Sequence, residues 1–470
     1  MSRRSFRLAA TAIVGTIALA AVPMTNAAAC SKATTDLDYK ITNPYAGVNW
    51  HWQQYKAGFH NHTTESDGSN TATEMLETAY SLGFNVYAMT DHNVVNTTWD
   101  RTDTAKAQAD PNYYLTTERM AEMNTGVGRN GGAGMIGIPY SDEQSQADHL
   151  NTFWTDWNNS AGTTLEDKIA HVDEMNKTST AKLKPLMHIN HPGRYYGGSN
   201  TSTGEAAATD PAKVARYVGL FNKYPDSLVG MEIVNKVSDG DSYSDRILWD
   251  SVLQQTMPSQ NVSGFANDDA HSTSALGYAY NRLLMPSLTE KNVHDTLQSG
   301  AFYSTALVAK RELGSNFKGD RTKPAPTITR ISVNEAKDTI TIQGSNYNTI
   351  EWIADGKVVA TGNTVDLDKV AIGVDNYIRA QLKGDNGISF TNPFGVQLNT
   401  KSHHGHYLTE TEAAAAALKS VGRTTGKVSV TRQYAAWWGK PVYVVKITTL
   451  VDDKPSTTTV KVDARTGTIS

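Results

Sequence analysis

The sequence predicts an α/β fold, with a mainly parallel sheet over most of the chain and two smaller modules behind it. Short apolar runs at 134–139 (GMIGIP), 184–190 (KPLMHIN), 228–234 (LVGMEIV) and 262–266 (VSGFA) read as strands. Segments with helical spacing of apolar residues lie around them, at 72–82, 115–123, 165–175, 212–224 and 244–255. Metal-capable side chains recur where the runs end, and the carboxyl ends of parallel strands are where an α/β arrangement collects active residues.

The strongest signal is the stretch 58–68, GFHNHTTESDG, answered by TDHN at 90–93. In an extended segment side chains alternate faces, so His60 and His62 project to one side and can grip one ion together. Asp67 follows, and the second stretch adds Asp91 and His92. The run 134–139 leads into Asp142 and Glu143, with His149 after a polar turn. The run 184–190 carries His188 and ends in His191 and Pro192. The run 262–266 leads into Asp268, Asp269 and His271, and the last two repeat the spacing of His60 and His62. Glu232 stands inside an apolar strand, where an unpaired carboxylate is costly. Its expected partner is a ligand histidine or a buried Lys or Arg, and its role is to support the site. Asp91, facing away from His92 by alternation, is expected to orient a ligand imidazole.

Taken in order, these residues resemble the PHP family, the polymerase and histidinol phosphatase domain of metal-dependent phosphoesterases, over residues 55–308. The family's series is His-x-His, a Ser-Asp-Gly aspartate, Thr-Asp-His, a glutamate after an apolar strand, two further histidines and Asp-x-His. The matching positions are His60, His62, Asp67, His92, Glu143, His149, His191, Asp269 and His271. The resemblance implies a distorted seven-stranded (β/α)7 barrel holding two to three divalent transition-metal ions. It implies one ion on His60, His62, Glu143 and Asp269, a second on Glu143, His149 and His191, and a third on Asp67, His92 and His271. Asp142 competes with Glu143, and His188 with His191; the proline after His191 matches the family's motif, which makes His188 a packed residue. Imidazoles mixed with carboxylates suit zinc, manganese or iron. The implied reaction is hydrolysis of a small phosphate ester, with Glu143, Asp269 and His271 at the reacting centre. Arg194, just beyond His191, is a candidate for binding phosphoryl oxygens. Two rival readings are a non-catalytic metal- or phosphate-binding surface protein and a metal-dependent amide or lactone hydrolase.

Residues 1–29 read as an export signal, with an apolar stretch to Val22 and small residues at the cut. The stretch SRRSF at 2–6 resembles a twin-arginine signal, with an ordinary secretory signal as the alternative. A secreted or periplasmic protein without a transmembrane segment in its mature form is expected. Cys30 is the only cysteine, so no intrachain disulfide forms. Ala27 stands where a lipoprotein signal has a large aliphatic residue, which disfavours a lipid anchor on Cys30. Loss of the signal removes Arg3, Arg4 and Arg7 from 43 basic residues set against 47 acidic ones, leaving an acidic chain. Nucleic acid as a bulk polyanion is therefore excluded as a partner, and a small phosphorylated molecule fits better.

Downstream of the 50–320 region, Lys323 to Pro326 reads as a linker. Alternating short runs at 324–400, joined by turns at Asp355-Gly356 and Asp385-Asn386-Gly387, predict a small immunoglobulin-like β-sandwich that covers one side of the barrel. Residues 401–407, with three histidines, form a second linker. The segment 407–470 resembles a PepSY-type α+β module, with Thr409 and Glu412 as a capping box for an Ala-rich helix and with Trp437 and Trp438 in its core. Contact with a cell surface would run through these two modules.

Overall fold

The computed structural model describes residues 39–470 except 130–132, 159–162, 198–201, 241, 371–373, 375, 399–407, 409, 423–426, 434–441, 452–453 and 464–466. Residues 1–29, read above as an export signal, lie outside the described residues, as do Cys30, the 401–407 histidines, Thr409 and the Trp437-Trp438 pair.

The chain begins with β1 (Tyr39–Thr42), β2 (Gln54–Gly58), α1 (Ala72–Ser81), β3 (Val86–Tyr87), α2 (Ala105–Ala109), α3 (Thr117–Thr125) and β4 (Ile136–Gly137). It continues with β5 (Asp142–Gln144), β6 (Leu150–Phe153), α4 (Leu165–Thr178), β7 (Leu186–Ile189), α5 (Gly193–Tyr196), α6 (Ser202–Ala208), α7 (Pro211–Lys223) and β8 (Leu228–Asn235). Then come α8 (Asp245–Thr256), β9 (Ser263–Asn267), β10 (Ala279–Leu284), α9 (Glu290–Ser299), β11 (Phe302–Ala306) and α10 (Lys310–Leu313).

Local chemistry sets these boundaries. Helix α1 starts at a reciprocal capping box between Thr71 and Glu74, and its buried Ala72, Met75, Leu76, Ala79 and Tyr80 fall on one face. Helix α7 starts at the Asp210 cap with Pro211 in its first turn, where no amide donor is needed.

Strands β5 to β9 form one sheet in sequence order, while β2, β3 and β4 belong to a second, beside β10 and β11. Isolated bridges join the two sheets, Asn61 to Ala270 on one side and His92 to Glu143 on the other. The expectation of a mainly parallel sheet needs correction. Pairs β2/β3, β3/β4, β7/β8 and β8/β9 are parallel, but β6 runs antiparallel to both β5 and β7, and β10 to both β2 and β11. The loop from β5 to β6 is too short for a crossover helix, so a hairpin replaces a βα unit there.

The next strands are β12 (Thr327–Asn334), β13 (Thr339–Ser345), β14 (Thr349–Ala354), β15 (Lys357–Thr361), β16 (Thr364–Asp366), β17 (Tyr377–Gly384), β18 (Gly387–Thr391) and β19 (Phe394–Leu398). The β12-β13-β16 sheet packs across a core of Ile328, Ile340, Ile342, Val365, Ile350, Trp352, Ile378, Leu382 and Phe394. This layer is not a separate body. Strand β18 pairs with β11, so one sheet runs from the 50–320 region into the sandwich, and β1, upstream of that region, pairs with β19.

The last module contains α11 (Glu410–Ser420), β20 (Lys427–Gln433), β21 (Val442–Val451) and β22 (Lys454–Asp463). Its strands form a three-stranded antiparallel sheet with its own core of Ala413, Ala417, Tyr443, Val445, Ile447, Val460 and Val462. No helix among the described residues is long and apolar enough to cross a membrane.

Candidate metal centre

Each element delivers its side chain through a backbone contact. The bridge at Asn61 and Ala270, with the His62 amide donating to the Ala270 carbonyl at 2.9 Å, brings the segment after β2 alongside the one after β9. His60 and His62 do share a face, with ring centroids 5.1 Å apart. Asp269 adopts a left-handed backbone (φ 44°), and this kink, not extended alternation, is what sets Asp269 and His271 side by side. The second bridge places His92 next to Glu143. At the end of β7 the His191 amide donates to Glu232 Oε2 at 2.8 Å, and His191 itself is left-handed at φ 23°. Such strained residues persist where surrounding structure holds them, often at functional sites.

Glu143, wholly buried, is the hub. Its two oxygens lie 3.1 Å from His60 Nε2, 3.7 Å from His62 Nε2, 2.7 Å from His92 Nδ1, 2.9 Å from His149 Nδ1 and 3.5 Å from His191 Nε2. Asp269 Oδ1 lies 3.0 Å from His62 Nε2, 3.4 Å from His60 Nε2 and 3.5 Å from His271 Nδ1. Asp67 Oδ2 lies 3.5 Å from His92 Nε2 and 3.3 Å from His271 Nε2, and Oδ1 is 3.8 Å from His62 Nδ1. All nine residues suggested by the sequence thus converge. Sets that can close on one ion are His60, His62 and Asp269; His92, Glu143 and His149; His62, Asp67, His92 and His271; and His60, His191 and Glu232. His92 joins the Glu143 set as well as the Asp67 set, a sharing that the family analogy did not assign.

The donor set fits a cationic occupant. His60 Nε2, both nitrogens of His62, His92 Nδ1, Glu143 Oε2 and Asp269 Oδ1 are buried without a hydrogen-bond partner. Several lie near one another in geometry that no hydrogen bond satisfies, so lone pairs face lone pairs. Buried acceptors so arranged require protons or metal ions between them. With protons alone, burial disfavours the His60 imidazolium, but the charges of Asp269, Glu143 and Glu232 outweigh it and hold His60 well above its usual pKa. Burial likewise pushes Glu143 up, and the surrounding His60, His149 and His191 more than reverse it, holding the carboxyl well below the usual range.

Glu232 supports the site, as its burial required. It accepts from His60 Nδ1, Asn267 Nδ2, Asn235 Nδ2 and the His191 amide, each at 2.8 Å. Four donors occupy its lone pairs, and the contact assigns the Nδ1–H tautomer to His60, leaving Nε2 to face Glu143 and Asp269. Asp91 does something other than orient an imidazole. It accepts from the Thr63 amide at 2.6 Å, the Thr63 hydroxyl at 3.0 Å and the Ser66 hydroxyl at 2.9 Å, latching the loop that carries Asp67. Gly68 closes that loop where a Cβ would stand 2.8 Å from the Thr63 backbone.

The competing residues separate cleanly. Asp142 points to the other face of β5, bonded to Thr152 and Gln144, and burial pushes its carboxyl up to about 7. His188 is buried against Phe265, ring centroids 4.5 Å apart. Arg194 is exposed, its guanidinium 5.9 Å from the Tyr195 ring, and among the described residues it forms no ion pair with the cluster's carboxylates. The ammonium beside the carboxylates is that of Lys236, 3.3 Å from Asp269 Oδ2. Sequence reasoning missed Lys236 and Tyr195, whose ring packs 5.2 Å from His149 and 5.6 Å from His191. It also missed Asn190, which donates to Glu143 Oε1 at 2.7 Å. Asn190 and Lys236 directly follow β7 and β8, while Tyr195 stands in α5, the short helix after β7.

Residues 407–470 match the family model PepSY, described as peptidase propeptide and YPEB domain. Among solved structures the chain is similar to a two-domain protein from Bacteroides vulgatus containing a predicted PHP-like metal-dependent phosphoesterase. The similarity is 12% identity over 88% of this chain and 96% of that one, with a TM-score of 0.37. No curated protein matches the chain. The functional reading therefore rests on the geometry of the site.

Proposed function

We propose that the chain is an exported, metal-dependent phosphoesterase acting on a small phosphate ester, built on a distorted (β/α)7 barrel closed by the two isolated bridges. The supporting observation is the convergence of six imidazoles and three carboxylates, of which His60, His62, His92, Glu143, His191 and Asp269 carry buried polar atoms without a hydrogen-bond partner. Zinc, manganese and iron suit this mixed donor set. Bound divalent ions supply Lewis acidity, polarising a phosphoryl group and bringing the pKa of water towards neutrality.

The chain's own residues do the rest. Glu143 holds the centre together as the carboxylate common to several imidazoles. Glu232 fixes His60, and Asn190 fixes Glu143. Asp67, His92 and His271, all partly exposed, form the mouth at which an anionic substrate enters. A small phosphorylated molecule is the substrate class, and contact with a cell surface falls to the C-terminal modules.

The test is a screen of the metal-loaded protein against phosphomonoesters, phosphodiesters, amides and lactones. Phosphate esters should be hydrolysed, with activity lost on chelation and restored by Mn²⁺, Zn²⁺ or Fe²⁺. Turnover of amides or lactones alone, or of nothing in the loaded protein, would contradict the proposal.

A further inference from the structure

Lys236 is the first residue after β8, at the edge of the sheet where His191 and Asp269 also stand. Its backbone is left-handed (φ 61°), a region that side chains other than glycine rarely adopt. The surroundings enforce it. The Lys236 amide donates to the Asn267 carbonyl, and the Asp239 amide donates back to the Lys236 carbonyl, both at 3.2 Å. Asp239 is gripped in turn by the buried Arg246 through two bonds of 2.9 Å and by the Ser242 hydroxyl at 2.8 Å. A buried ion pair and a strained turn thus aim one lysine.

The aim is specific. Asp269 divides its oxygens, Oδ1 towards His60, His62 and His271 and Oδ2 towards Lys236. The ammonium sits at the rim of the cluster, its side chain 29% exposed, while His60, His62 and Glu143 form a floor sealed from solvent. Among the described residues, no other Lys or Arg forms an ion pair with Asp67, Glu143, Glu232 or Asp269.

We infer that Lys236 is the substrate-phosphate anchor: its ammonium binds a phosphoryl oxygen of the ester at the mouth of the cluster, the role that the sequence suggested for Arg194. The inference rests on the phosphoesterase reading and adds the residue that selects an anionic substrate. An ammonium with three donors can keep Asp269 as one partner and take a phosphoryl oxygen as another, a charge-assisted contact at each end.

The experiment uses the full-length, Mn²⁺-loaded protein with inorganic phosphate as the probe. Lys236→Met should bind phosphate at least about tenfold more weakly than wild type, the loss expected for one charge-assisted hydrogen bond. Its metal content should be unchanged, and Lys236→Arg should recover part of the affinity. In the wild-type protein, phosphate should also slow acetylation of Lys236 as read by peptide mass spectrometry, a measurement that needs no variant to fold. Equal phosphate affinity in wild type and Lys236→Met, or acetylation of Lys236 indifferent to phosphate, would overturn this inference alone. A wild-type protein that binds neither ions nor phosphate would overturn the metal-centre reading and this inference with it.

Discussion

Glu143 and Asp142 are neighbours with opposite fates, because β5 sends one side chain into the imidazole cluster and the other towards Thr152. Glu143→Gln keeps the volume and removes the charge, so phosphate-ester turnover should fall by at least ~100-fold, the scale of losing a major electrostatic contribution. Asp142→Asn should leave turnover near wild type, and the reverse ranking in matched kinetic assays would exchange their roles. His188 supports a prediction in pH. Burial, opposed by the Glu232 charge, pushes its pKa down from 6.5 to about 4. The unfolded chain binds this proton near 6.5 and the folded chain only near 4, so the unfolded state holds more protons between those values. The His188 contribution to stability is therefore full above pH 6.5 and is lost as the pH drops through that window, by at most about 3 kcal/mol. Denaturant titrations of chelated wild type and His188→Leu at pH 7 and pH 4.5 should show a shallower pH dependence in the variant, and equal slopes would mean His188 does not titrate this way. All nine converging residues were legible in the sequence because ligand types stand in a fixed order. Lys236 was not, since a lone lysine after a strand reads as a solvated charge until its turn is known to be locked.

Among the elements, the loop between β2 and α1 owes three of its hydrogen bonds to one acid, Asp91. Asp91→Asn would weaken the bonds from the Thr63 amide and hydroxyl and from Ser66, at a cost of about 1–3 kcal/mol. Asp67 would lose its fixed position opposite His92 and His271. One class of bound ion should then weaken while the ions nearest Glu143 stay, which metal titration by calorimetry would resolve; an unchanged titration would show that Asp67 holds no ion. The periodic segments 72–82, 115–123, 165–175, 212–224 and 244–255 correspond to Ala72–Ser81, Thr117–Thr125, Leu165–Thr178, Pro211–Lys223 and Asp245–Thr256, while α9 at Glu290–Ser299 was not among them. The β5–β6 hairpin escaped for a physical reason. Strand β5 reads Asp-Glu-Gln and is fully buried because it lines a polar centre, so hydropathy gives it no signal.

At the scale of the whole molecule, the sandwich completes the sheet that carries β2, β10 and β11. Arg379 grips Asp250 of α8 through two bonds of 2.7 Å, Tyr377 adds a third to the same carboxylate, and Asn392 donates to the Gly300 and Phe302 carbonyls. A chain ending near Arg321 would strip Asp250 of its Arg379 and Tyr377 partners and expose the edge of β11, so it should aggregate or unfold. A chain ending near Leu398 should stay folded and retain ester hydrolysis, because the 407–470 module has its own sheet and core. A soluble, active protein ending at Arg321 would show that the shared sheet is dispensable. The linker reading of Lys323 to Pro326 carried no sign of the β11/β18 pairing, since sequence marks where a chain turns but not which distant strands later pair across the turn.

A multinuclear hydrolytic centre built from the buried imidazoles and carboxylates must hold more than one ion. Elemental analysis of the purified full-length protein, saturated with Mn²⁺, Zn²⁺ or Fe²⁺ and freed of loosely held metal, counts them. Two to three ions per chain are expected, and a content of no more than one under those conditions would contradict it.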